Sequence, residues 1–252
     1  MKAGPGKARW AIAAKVLLAL LLFTSSRVAV NGEDLRAVVS RTPVAPMQVA
    51  HGKRTVNDVV SHYAPSVEPV LREHFSRAGA HYPPRRMAFL AFKEERLLEV
   101  WVEENGRWLK VARYPIKAAS GRAGPKLRQG DHQVPEGLYR LLWLNPNSQY
   151  HLSMKVDYPN AFDRAQARRD GRTELGGDIF IHGRAASIGC LAMGDAAIEE
   201  LFVLVARTGA ANVEVVIAPR DLRVRPAPNV PVPAWTSALY TRIAERLKAF
   251  RQ

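Results

Sequence analysis

The residues with the clearest chemical potential lie in one stretch, from Asp178 to Asp195. It holds Cys190, the single cysteine of the 252-residue chain, and His182 upstream of it. A thiol and an imidazole form a nucleophile and a base when a fold brings them together. Gly183 follows the histidine and Gly189 precedes the cysteine, so the backbone can turn sharply and approach a substrate closely at both. His182 ends an apolar strand-like run, where its side chain can face a cleft. Asp195 can cap a helix beginning soon after Cys190. Free N–H groups at such an end lower a thiol pKa from about 8.5 and can hold an oxyanion. A lone thiol has other readings: an inert buried side chain, half of an intermolecular disulfide, or a metal ligand beside Asp178 and His182. The spacing of those three fits no helical i, i+4 pair and no second cysteine exists, so neither a metal nor a cofactor is expected.

Such groups need a rigid frame, and the surrounding pattern is mainly β. Runs at 87–93, 97–102, 108–114, 137–144, 151–156, 178–182 and 213–218 read as seven strands. Asn105-Gly106 marks a hairpin turn between the second and third. A helix near 64–78 carries Val67, Val70, Leu71 and Phe75 at helical spacing, and one after Asp195 carries Ile198, Leu201, Phe202 and Val205. Beyond a Pro-rich connector, Pro226 to Pro233, a last helix stripes Trp235, Leu239, Ile243, Leu247 and Phe250 on one side and should dock on the domain. The expected fold is mainly β, sandwich or barrel-like, with one inserted helix and flanking helices. The expected segments are 1–26, a linker and helix over 27–85, a catalytic domain over 86–220, and a connector with helix over 221–252.

Composition narrows the class. With 47% hydrophobic and 24% charged residues the chain can bury a full core. One cysteine rules out an internal disulfide. Lys2, Lys7, Arg9 and Lys15 precede an apolar run, Val16 to Phe23, and then Thr24-Ser25-Ser26, the three-part pattern of an export signal or an uncleaved anchor. Taking those four charges from the net +14 leaves +10 on the remainder. That surplus suits an anionic polymer or envelope surface. No nucleic-acid-binding signature accompanies it, so no nucleic-acid partner is expected.

The segment His182-Gly183 … Ser187-Ile188-Gly189-Cys190 resembles the active-site motif of YkuD-type L,D-transpeptidases, which remodel peptidoglycan through a cysteine. Further blocks agree in order: Ser120 to Lys126, Gly130 to Gly137, Leu144 to Ser148 and Tyr158 to Asp163. Tyr82-Pro83-Pro84 and Ala91 to Arg96 extend the likeness over about 64–220. These resemble the branch with short spacing between the motif histidine and cysteine, which also includes murein–lipoprotein amidases. The resemblance implies a β-rich L,D-transpeptidase catalytic domain. In it Cys190, deprotonated by His182, attacks the meso-diaminopimelate carbonyl of a peptidoglycan stem peptide and passes the thioester to an amine or to water. It further implies that the Gly183 carbonyl holds the imidazole, that Gly189 and Cys190 N–H groups form the oxyanion hole, and that Ser187 lines the site. Ile188 and Leu191 depart from the family pattern, where a second histidine and an Arg or Asn often stand. Arg184, Lys126 or Arg128 would then bind the stem carboxylate, and His132 would serve a loop near the cleft. The implied setting is the periplasm of a Gram-negative bacterium, with peptidoglycan-linked outer-membrane lipoprotein as a further partner and membrane contact only through residues 1–26. A non-catalytic wall-binding module using the same cleft is the reading from another class.

Overall fold

A computed structural model describes residues 53–251, so the export-like segment 1–26 and nearly all of the linker expected before Arg54 lie outside the described residues. The centre of the fold is β1 (Met87–Phe92), whose six residues are all buried. Met87, Phe89 and Ala91 enter one core, while Ala88, Leu90 and Phe92 enter a second on the opposite face. Period-two side chains buried on both sides explain why this strand reads as an unbroken apolar run. It pairs antiparallel with β2 (Leu97–Glu104) and parallel with β9 (Val213–Ala218). β2 turns into β3 (Arg107–Pro115) through Asn105 and Gly106, both at positive φ, as a tight hairpin requires.

With β4 (Ala118–Ala119), β5 (Gly137–Asn145), β6 (Ser153–Val156), β7 (Phe180–His182) and β8 (Leu191–Ala192), one nine-stranded sheet forms. Its order is β3-β2-β1-β9-β5-β6-β7-β8-β4. The mainly β, barrel-like expectation holds in this curled sheet. β4 and β8 are the strands that the sequence pattern did not give.

The larger core lies between the sheet, α1 (Val56–Ala78) and α3 (Asp195–Thr208). α1 starts two turns before the expected Ala64. Thr55 Oγ1 accepts from the Asp58 N–H, and the Asp58 carboxylate accepts from the Thr55 N–H, which fixes that start. Pro65 and Pro69 lie inside the helix, where proline ordinarily marks a boundary. An unexpected helix, α2 (Ala161–Arg169), follows Asn160, whose side chain caps the Phe162 and Asp163 N–H groups. One further expectation is corrected. The residue before α3 is Gly194 and no side chain caps the helix; Asp195 is its first residue and accepts a hydrogen bond from the Arg184 N–H. β8 stands between Cys190 and that helix.

The second core is closed by α4 (Thr236–Leu247), whose Leu239, Tyr240, Ile243 and Leu247 pack with Phe250 on Leu90, Phe92, Trp101 and Val216. Ile243 is fully buried there. Ile243→Ala should destabilise the fold by about 2–5 kcal/mol, read as a lower urea midpoint at unchanged m-value; an unchanged midpoint would show that α4 is not part of the folding unit.

Candidate active site

His182 is the last residue of β7, a strand held between β6 and β8 by pairing opposite Ser153 and Ala192. Its imidazole is buried, and Nδ1 lies 2.6 Å from the Gly183 carbonyl oxygen. A carbonyl only accepts, so Nδ1 carries the proton and Nε2 keeps its lone pair. Glycine is needed at 183, because a Cβ there would stand 2.8 Å from both Asp195 Oδ1 and the Tyr150 carbonyl. The Tyr150 ring lies 4.6 Å from the imidazole at a tilt of 41° and fixes its plane from the other side. Burial holds the His182 pKa below the usual 6.5, against the opposing pull of the Gly183 bond.

Cys190 is half-buried, with Sγ 3.6 Å from the Asp178 carbonyl oxygen. It shares with His182 the wall of one cleft of about 490 Å³, alongside Lys126, His132, Tyr150 and Ile188. Burial pushes the thiol pKa up; a main-chain contact at Phe180 and the Lys155 charge oppose this. This reverses the expectation of a thiol lowered by a helix end. The Asp178 carboxylate pairs with Lys155 at 2.9 Å. Among the described residues no group of three His, Cys, Asp or Glu is gathered to hold a metal ion.

The turn before the thiol is organised by Ser187. Its hydroxyl accepts from the N–H groups of Gly189 and Cys190 at 3.3 and 3.2 Å and donates to the Cys190 carbonyl at 2.7 Å. Ser187 thus braces the turn, and neither it nor Gly189 is among the residues lining the cleft. The two N–H groups are engaged by that hydroxyl in this state.

Of the candidate carboxylate binders, Lys126 lines the cleft but its ammonium is taken by Asp131 at 2.5 Å and the Arg128 carbonyl at 2.9 Å. Arg128 lines a neighbouring groove instead, and Arg184 is exposed outside the cleft at a φ of 57°. His132 lines the cleft.

The cleft wall from Ser120 to Glu136 is built on buried polar groups. Asp131 accepts from the N–H groups of Leu127, Arg128 and Gln133, and Gln133 Nε2 donates to the Arg122 and Gly124 carbonyls. Glu136 accepts from Lys93 Nζ at 2.9 Å, the Gly124 N–H at 2.9 Å and the Tyr240 hydroxyl at 2.8 Å. Sequence reasoning missed Tyr150. Its signal is its place just past the Leu144–Ser148 block, but stacking on His182 is a relation in space that no spacing gives.

A model of the YkuD family, the L,D-transpeptidase catalytic domain, matches residues 88–217, just over half of the chain. The chain belongs to this L,D-transpeptidase family. Over 121 residues it is 40% identical to the Escherichia coli K12 protein named "Putative L,D-transpeptidase YafK", and equally to the O157:H7 protein of that name. The alignment covers 47% of this chain and 46% of that protein, so the chain spans about half the length of these L,D-transpeptidase relatives. Among solved structures it is similar to the helical cell shape determining protein Pgp2 of Campylobacter jejuni, at 23% identity and a TM-score of 0.46 over 60% of this chain and 55% of that one. It is also similar to Mycobacterium tuberculosis L,D-transpeptidase 1, at 14% identity and a TM-score of 0.30 over 53% and 62% of the two chains.

Proposed function

We propose that the chain is an exported cysteine acyltransferase that acts on peptidoglycan stem peptides in the periplasm of a Gram-negative bacterium. The observation that carries this is the Nδ1–Gly183 bond, which leaves the Nε2 lone pair of His182 as a base in the cleft it shares with Cys190. Nε2 takes the thiol proton as Sγ adds to the meso-diaminopimelate carbonyl. The tetrahedral oxyanion is received by the Gly189 and Cys190 N–H groups, which exchange the Ser187 hydroxyl for it. Collapse breaks the bond to D-alanine, whose amine leaves with the proton from His182. An incoming amine then attacks the thioester and regenerates the thiol.

A mass spectrum of the protein incubated with tetrapeptide muropeptides should show a tripeptide-muropeptide adduct on Cys190. No adduct under any acceptor condition would sink the reading.

A second reading, hydrolysis of the link between diaminopimelate and a lipoprotein lysine, is favoured by the apolar cleft mouth. Ile188 is 73% exposed there, and Trp143, at 47%, packs on the cleft residue Phe180. Such a mouth suits the methylene stem of a lysine, and the short spacing from His182 to Cys190 fits the branch that includes such amidases. Free tripeptide ends released from lipoprotein-linked wall identify this outcome; new 3–3 cross-links identify the first.

A further inference from the structure

Two clefts meet where the loop around Gln129 meets the loop around Gly176. The Gln129 N–H donates to the Glu174 carbonyl at 2.9 Å, and a Cβ on Gly176 would lie 3.1 Å from Gln129 Cα, so the two loops form one thin septum. On one side of it is the catalytic cleft, which both Gln129 and Gly176 line. On the other is a groove of about 610 Å³ that the same two residues line together with Arg164, Arg168, Arg172 and Glu174.

The three arginines differ in what holds them. Arg172 is spent on the fold: its guanidinium grips the Asp170 carboxylate and donates to the Leu127 carbonyl at 2.7 Å. Arg164 and Arg168 are exposed on α2, and among the described residues neither forms an ion pair. The acids nearest Arg164 are Asp157 and Asp163, whose carboxylates are already held by the main-chain N–H groups of Arg140 and Asn160. Glu174 is the one carboxylate of the groove wall. Two guanidiniums without an ion-pair partner along one shallow groove can attract anions, and guanidinium favours carboxylate geometry.

We propose that this groove is a subsite for a carboxylate-bearing peptide continuous with the chain reacting at Cys190, with Arg164 and Arg168 as the recognising residues. One feature selects a peptide over a membrane surface: the groove, though shallow, adjoins the catalytic cleft across a single layer of backbone. Arg164 and Arg168 stand four apart on α2, a rise of about 6 Å, so one ligand with more than one carboxylate can meet both. The subsite also answers the carboxylate recognition that Lys126, Arg128 and Arg184 do not provide from their observed positions. The inference rests on the stem-peptide reading for its choice of ligand, and its test does not require turnover.

The test uses Cys190→Ala, which binds without reacting, and a fluorescent tetrapeptide stem prepared with free or with amidated carboxylates. The free form should bind about tenfold more tightly than the amidated form, as two partly exposed charge pairs allow. Arg164→Gln/Arg168→Gln should remove that difference while leaving affinity for the amidated peptide unchanged; Arg164→Lys/Arg168→Lys should keep part of it. Added salt should shrink it. The proposal is overturned if the preference survives in the double glutamine variant, or if parent and variant bind both peptides equally. It is equally overturned if the two arginines govern binding to phosphatidylglycerol vesicles and not to the peptide. An arginine-dependent preference in a protein that forms no Cys190 adduct would leave the groove standing and remove only the acyl-transfer reading.

Discussion

Exchanging Cys190 for Ala is expected to abolish acyl transfer, a fall of about 10⁴-fold or more, and His182→Gln to lower kcat/KM by about 10²–10⁴-fold. The more discriminating result is the pH profile. Burial moves the two partners in opposite directions, with the thiol raised above 9.0 and the imidazole lowered below 6.5. A thiolate–imidazolium pair needs the reverse order. At neutral pH the free protein then holds a neutral thiol and a neutral imidazole in one cleft, and in the proposed mechanism the proton moves only as the carbonyl is attacked. Since His182 loses its function as a base only when protonated, the acid limb of kcat/KM should fall below pH 6.5. Iodoacetamide should alkylate free Cys190 slowly at pH 7 and accelerate only above pH 9. A plateau of fast alkylation between pH 5 and 8 would establish a preformed ion pair and overturn this order of events.

Removing Lys93 is expected to have the largest effect on stability. Its ammonium and the Glu136 carboxylate are almost wholly withdrawn from solvent and meet at 2.9 Å. Lys93 also donates to the carbonyls of Arg122 and Val134, at 2.7 and 3.0 Å. Burial lowers the Lys93 pKa and Glu136 opposes that shift. Lys93→Met strands a buried carboxylate, at a cost of about 3–5 kcal/mol. Lys93→Met/Glu136→Leu removes both charges and should recover a good part of the loss. Urea unfolding of the two variants checks this, and a single variant as stable as the parent would refute it. Because the same pair holds the Ser120–Glu136 wall, the single variant should also raise KM at a temperature where it is still folded.

The site was legible to the extent that chemistry is local in sequence. Cys190, His182 and the glycines beside them announce themselves through residue type, and β1 through its apolar run. α2 was not legible by periodicity because its buried positions are Asp163, Gln166 and Ala167, two of them polar. Its local signals were the capping box of Asn160 and Asp163 and the basic last turn, Arg168 and Arg169. α1 reads short because its spacing is counted from Val67, Val70, Leu71 and Phe75, while the turns before Pro65 are held by Val59, Val60 and Tyr63, whose burial is a matter of tertiary packing. Asp195 was read as a cap because its type suits one; the structure uses its carboxylate to hold the Arg184 main chain. The commitment of Lys126 to Asp131, the stacking of Tyr150 and the bracing by Ser187 depend on which loops meet, which spacing alone does not give.

The pairing of β1 has a consequence for when this protein can fold. Met87 lies opposite Val213, so the central strand waits 126 residues of synthesis for its parallel neighbour. Its second face then stays uncovered until α4 has followed. Loop closure over such a separation is slow, and a nascent chain cannot complete its nucleus around β1 while β9 is still unmade. The polypeptide should thus stay open around β1 until β9 and α4 have both been made.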